Sequence, residues 1–181
     1  MKALAASSID MPATLVKLVI SPTHNHAIEW ASAAGFHTEI VPKTPDYANQ
    51  LLATLLKHQI NIICLAGYMY LLPEEIVQAY SRRILNIHPS LLPKFGGQGM
   101  HGMHVHEAVV AAGSLRSGCT VHFVNERYDE GDIFLQMSCP IKSDDTPEDV
   151  ADKVLKLEHV TYPLALKMLL SELKKEFQSS I

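Results

Sequence analysis

Residues 61–66 read Asn-Ile-Ile-Cys-Leu-Ala, a continuous apolar run of strand length. A run with no polar alternation suits a strand covered on both faces, as in a parallel sheet packed between helices. Just upstream, residues 46–58 place Tyr47, Leu51, Leu52, Leu55 and Leu56 on one stripe at helical spacing. Further upstream, residues 15–21 read as a strand, 25–34 as a helix closed by Gly35, and 37–41 as a strand. Together these make a βαβαβ pattern.

Downstream, Pro73 opens a helical stretch, PEEIVQAY, with Glu74 and Glu75 in its first turn, and residues 83–87 form another apolar strand candidate. Residues 88–103, HPSLLPKFGGQGMHGM, make a loop too long for mere connection, and 104–112 return to a helical pattern closed by Gly113. Two further strands, 118–124 and 132–139, flank the turn NERYDEG and predict an antiparallel hairpin at the sheet edge. A long terminal helix covers 147–177, with a kink expected at Pro163. The stripe Leu164, Leu166, Met168, Leu169 and Leu170 reads as core. The expected fold is one α/β domain over residues 1–181: a doubly wound, mostly parallel sheet with an antiparallel edge and a C-terminal helix. In such sheets, ligands sit at the carboxyl ends of the strands.

Composition narrows the function classes. The 181 residues are 48% hydrophobic, enough for one ordinary core. Fifteen Lys and Arg against 19 Asp and Glu give a net charge of -4, so no global positive field exists to hold a nucleic acid. Cys64, Cys119 and Cys139 lie in or beside apolar runs without CxxC spacing, which predicts buried thiols in a reducing compartment. No run reaches the roughly 18 apolar residues of a membrane span. A cytoplasmic protein acting on small molecules is expected, with no membrane and no nucleic acid as partners.

The start of the chain departs from the pattern. A doubly wound phosphate binder usually opens with a strand and a glycine-rich turn, whereas the first glycine here is Gly35. Residues 1–14 read as the second half of a helix leading into the strand at 15–21, so the chain is expected to begin one βα unit late. In such sheets the first strand lies in the middle, so its absence is expected to leave two buried edges.

Asn86 and His88 stand two apart at the end of a strand candidate, so their side chains leave one face and can converge on one reacting atom. By themselves they also fit a turn-capping Asn and a core His. Asp129, in the turn ERYDEGD, can orient a neighbouring histidine and favour its protonated form, or can simply be a solvated turn acid. His101, His104 and His106 cluster in the long loop without a strong zinc spacing or an accompanying cysteine, and no metal is expected. His122 reads as a hydrogen-bonded strand residue behind the site.

The segments LAGYMYLLP, ILNIHPSLLPKFGG, HEAVVAAGSLRSGCTVHFVNERYDEGDIFLQ and LEHVTYPLAL together resemble the phosphoribosylglycinamide formyltransferase family. The resemblance runs from about residue 15 to about residue 170 and implies a folate-dependent step of purine synthesis with 10-formyltetrahydrofolate as co-substrate. It implies that Asn86, His88 and Asp129 are catalytic. It further implies that Met69, Tyr70, Leu71, Leu72, Asn125, Glu126, Arg127 and Tyr128 line the folate pocket with Asn86 and Asp129, and that Glu158 contacts the ribotide. The family opens with a strand and a Gly-Ser-Gly-type phosphate loop, which this sequence lacks, and Tyr70 stands where an arginine is common. Two other readings accompany it: an impaired or non-catalytic relative without a ribotide phosphate site, or a related folate-dependent hydrolase or formyltransferase. A monomer or homodimer is expected.

Overall fold

Twelve elements alternate along the residues that the computed structural model describes, 2–8 and 18–179. In order they are α1 (Lys2–Ser8), β1 (Val19–Ser21), α2 (His26–Ala33), β2 (Thr38–Ile40), α3 (Tyr47–Lys57), β3 (Ile63–Leu65), α4 (Glu74–Ala79), β4 (Ile84–His88), α5 (Met103–Ala111), β5 (Arg116–Phe123), β6 (Ile133–Pro140) and α6 (Pro147–Ser179). The expected alternation is present, including the kink-prone Pro163 inside α6. The helix read into residues 1–14 appears as α1. Residues 9–14 of that reading, and 15–17 of the first expected strand, lie outside the described residues.

The strands form two sheets. β1 pairs with β2 in parallel, and a separate four-stranded sheet runs β3-β4-β5-β6. Within it β3 and β4 are parallel, while β4-β5 and β5-β6 are antiparallel, so the antiparallel part is three strands wide. β1 and β3 face each other across a cavity of about 560 Å³ lined by Val19, Ile20, Ser21, Ile63, Cys64 and Leu65 among others. Each of the two has a ladder partner on one side only among the described residues. Among the described residues, both strands therefore turn an unpaired edge toward this cavity. The apolar run 61–66 carries a three-residue strand, Ile63–Leu65.

Periodicity explains the packing. Leu85 on β4 and Val121 and Phe123 on β5 share one sheet face and bury against Tyr162, Ala165, Leu166 and Leu169 of α6, with Leu4 of α1 alongside. Residues of the other parity, Asn86, His88, Thr120 and His122, turn to the opposite face. A second cluster joins Tyr47, Leu51 and Leu55 of α3 to Ile76 of α4 and Ile84 of β4. The Tyr162 hydroxyl lies 2.8 Å from the carbonyl oxygens of both Leu65 and Leu85, fastening α6 to β3 and β4 from within the core. Glu158, one turn earlier on α6, is half-buried, and burial pushes its carboxyl up to about 7.

Candidate active site

β4 ends by presenting Asn86 and His88 on one face, and β5 places His122 opposite Asn86 in the antiparallel register. The Asn86 amide nitrogen lies 3.1 Å from His122 Nε2, and His122 Nδ1 lies 2.9 Å from the Phe123 carbonyl oxygen. A carbonyl only accepts, so Nδ1 carries the His122 proton and Nε2 accepts from Asn86. The second Asn86 N–H has no hydrogen-bond partner among the described residues.

Asp129 arrives from the turn after β5 in a left-handed conformation, φ +56°. Nearby, a Cβ at Gly131 would run into the Phe123 carbonyl, so the turn closes tightly only with glycine there. The turn brings Asp129 Oδ2 to 3.4 Å from His88 Nδ1 and Oδ1 to 3.5 Å from His122 Nε2. The Gly97 amide donates to Asp129 Oδ2 at 2.9 Å.

The long loop after His88 is a built part of this site. Thr120 donates to the Ser90 carbonyl at 2.6 Å and accepts from the Leu92 amide at 3.1 Å, while Gln136 donates to Thr120 at 2.8 Å and to the Leu92 carbonyl at 3.2 Å. Ser90 donates to the Lys94 carbonyl at 2.6 Å. These bonds aim the Phe95 carbonyl at His88 Nε2, 2.7 Å away.

His88 is 4% exposed. Burial pulls its pKa below the usual histidine value, and the Asp129 carboxylate and Phe95 carbonyl pull the other way without prevailing. The expected preference of Asp129 for the imidazolium is therefore present in sign but outweighed by desolvation. For Asp129, burial acts to raise the pKa, yet its contacts with His122, His88 and the Gly97 N–H together hold it below the ordinary carboxylate range. The resting pair is a neutral imidazole beside a carboxylate.

Met69, Tyr70 and Leu71 are exposed, and Met69, Tyr70 and Leu72 line the mouth of the cavity between β1 and β3. Lys43 Nζ sits 3.6 Å from the Tyr70 ring centroid, so a cation does occur at this segment, supplied from another loop. Asn125 caps its own turn by accepting from the Arg127 amide at 3.0 Å, and Arg127 pairs with Glu130 at 3.1 Å. No hydrogen bond or ion pair joins Glu158 to Asn86, His88 or Asp129 among the described residues; its electrostatic neighbours are Cys119 and Tyr162. His101 and His104 stack at 5.4 Å while His106 is buried, with Nδ1 unpartnered, so the three do not converge as ligands.

Thr120 and Gln136 extend the site beyond the sequence reading, and His122, read there as a hydrogen-bonded residue behind it, faces both Asn86 and Asp129. The available signal was the parity of β5, which puts residues 120 and 122 on the Asn86 face once the antiparallel register is known.

The sheet thus presents an Asn, two histidines and an Asp at one strand end, beside a proline-containing loop. A family profile described as formyl transferase matches residues 7–166, and the chain belongs to that family. The chloroplastic phosphoribosylglycinamide formyltransferase of Arabidopsis thaliana is 42% identical over 154 residues, 82% of this chain and 53% of that protein. The phosphoribosylglycinamide formyltransferase of Brucella melitensis superposes with a TM-score of 0.83 at 39% identity, covering 93% of this chain and 88% of that one. The Anaplasma phagocytophilum enzyme of the same name gives 0.84 at 34% identity, covering 94% and 81%. The chain spans about half the length of the curated plant relatives it matches.

Proposed function

We propose that this protein transfers the formyl group of 10-formyltetrahydrofolate to the amine of glycinamide ribonucleotide; formylation of that acceptor is what its relatives' names describe. The observation that carries this reading is the convergence of Asn86, His88 and Asp129 at the end of β4, with His122 fixing the Asn86 amide.

The substrate amine attacks the formyl carbon, forming a carbon–nitrogen bond and placing negative charge on the formyl oxygen. The free Asn86 N–H is a preorganised donor for that oxyanion in a water-poor site. The attacking nitrogen must lose a proton and the leaving folate nitrogen must gain one as its bond to carbon breaks. His88 suits this exchange: it rests neutral, and both its ring nitrogens face acceptors, so a proton taken up there is held by Asp129 and Phe95 at once. The reaction residues assigned are therefore Asn86 as oxyanion donor, His88 as proton carrier and Asp129 as the group that stabilises its charged form.

Met69, Tyr70, Leu71 and Leu72 with Asn125, Glu126, Arg127 and Tyr128 are assigned to the folate side, and Glu158 to the ribotide side. The partners are small molecules bound by a monomer or homodimer in a reducing, cytoplasmic compartment. No described helix is long and apolar enough to cross a membrane.

One observation favours a second reading, an impaired enzyme. The cavity of about 560 Å³ between β1 and β3 is bordered by the unpaired edges of both strands among the described residues, and no glycine-rich turn among those residues borders it to hold a phosphate. A formyl-transfer assay with both substrates tests the two together. Turnover that depends on His88 supports the enzyme. Tight folate binding without turnover, and with weak ribotide binding, supports the impaired relative.

A further inference from the structure

β1 borders the central cavity, so β2 forms the outer edge of the small sheet. His37, immediately before β2, and Glu39 within it are two apart and leave the strand on one side. His58 closes the C-terminal end of α3 and reaches the same point. Glu39 Oε1 lies 2.6 Å from His58 Nε2 and 3.4 Å from His37 Nε2. The three ligand atoms fall within 4.8 Å of one another, and the two imidazole rings stand 4.9 Å apart.

We propose that His37, Glu39 and His58 form a divalent-metal site, with zinc the fitting ion, unrelated to the formyl-transfer centre. Two imidazole nitrogens and one carboxylate oxygen are ligands that suit zinc, and three protein ligands leave a fourth position for water. Two features make the cluster more than a chance meeting of surface groups. Glu39 and His58 are only 25% and 19% exposed, so their positions are set by packing, whereas His37 is 56% exposed and leaves the site open to solvent. The same Glu39 oxygen already attracts a cation, the Lys57 ammonium at 3.1 Å, from the negative end of α3. Lys57 is 68% exposed and free to swing away when a metal takes its place.

A metal here joins two parts of the fold. Its ligands come from the two-stranded sheet and from α3, whose Tyr47, Leu51 and Leu55 pack into the core beside β4. Binding is expected to stabilise the protein by mass action.

The test uses the whole 181-residue chain, stripped with a chelator and titrated with zinc chloride by calorimetry, and with cobalt(II) by visible absorption. The expected result is one ion per chain, a visible spectrum of low-coordinate cobalt, and a raised Tm. His37→Gln and His58→Gln are each expected to weaken zinc binding more than about tenfold, while Lys57→Ala, which removes the competing ammonium, tightens it. His37 is exposed, so its replacement reports on binding even where the His58 variant folds poorly. The His101→Gln, His104→Gln double variant is expected to bind as the parent does. No stoichiometric zinc binding, or binding retained in His37→Gln but lost in the His101/His104 variant, overturns the proposal.

Discussion

His88 Nδ1 stands 3.4 Å from Asp129 Oδ2, and the opposite nitrogen of the same ring stands 2.7 Å from the Phe95 carbonyl oxygen. A neutral imidazole has one N–H and so satisfies only one of these acceptors; an imidazolium satisfies both. Burial nevertheless keeps the ring's pKa below its ordinary value. The opposition of these two effects suits His88 to the proton-carrying role proposed for it.

His88→Ala is expected to lower turnover by about 10²–10⁴-fold, the range spanned by acid–base contributions, with folate affinity little changed. Steady-state kinetics alongside a folate-analogue titration measure both. Parent-like turnover would remove His88 from the mechanism.

Asp129→Asn keeps an acceptor oxygen for the Gly97 amide but removes the negative charge that favours the imidazolium. The His88 pKa should therefore fall further in the variant, as read by the NMR titration of its ring protons. An unchanged titration would contradict the role given to Asp129.

Glu158 predicts a pH dependence of stability. Its folded pKa of about 7 lies above the ordinary 4.5, so the folded state binds more protons than the unfolded state between those values, and stability falls as pH rises through that window. Glu158→Gln should flatten this fall and leave the protein more stable than the parent at pH 8, by at most about 3 kcal/mol at roughly 1.4 kcal/mol per pK unit. Denaturant unfolding at pH 4 and pH 8 checks it, and equal changes at both would refute it.

Tyr162→Phe leaves the Leu65 and Leu85 carbonyls without their shared donor in the core, at an expected cost of about 1–3 kcal/mol. Thermal unfolding measures it. A loss near zero would mean that the hydroxyl does not hold α6 to the sheet.

The cavity between β1 and β3 gives the fifth expectation. Fusing one βα unit ahead of α1, with an apolar strand and a glycine-rich turn, should raise Tm and ribotide affinity together, because one element fills the slot and supplies phosphate-binding amides. Without it, calorimetry should show a folate analogue binding better than the ribotide. Tight ribotide binding by the 181 residues alone would show that other groups hold the phosphate.

Local signals carried much of the architecture in the sequence itself. The apolar run at 61–66, the helical stripe at 46–58 and the parity of Asn86 and His88 each follow from short-range periodicity, which a linear string displays directly. The same holds for the hairpin around NERYDEG. Only the tertiary structure decided which parities meet. His122 joins Asn86 because β4 and β5 are antiparallel in one register, and Thr120 and Gln136 become supports because the loop after His88 folds back onto β5. The balance of charge at His88 was likewise closed to sequence reading. Asp129 named the favourable partner, but the larger, opposing effect is desolvation, and burial belongs to the packed molecule rather than to any residue in the string.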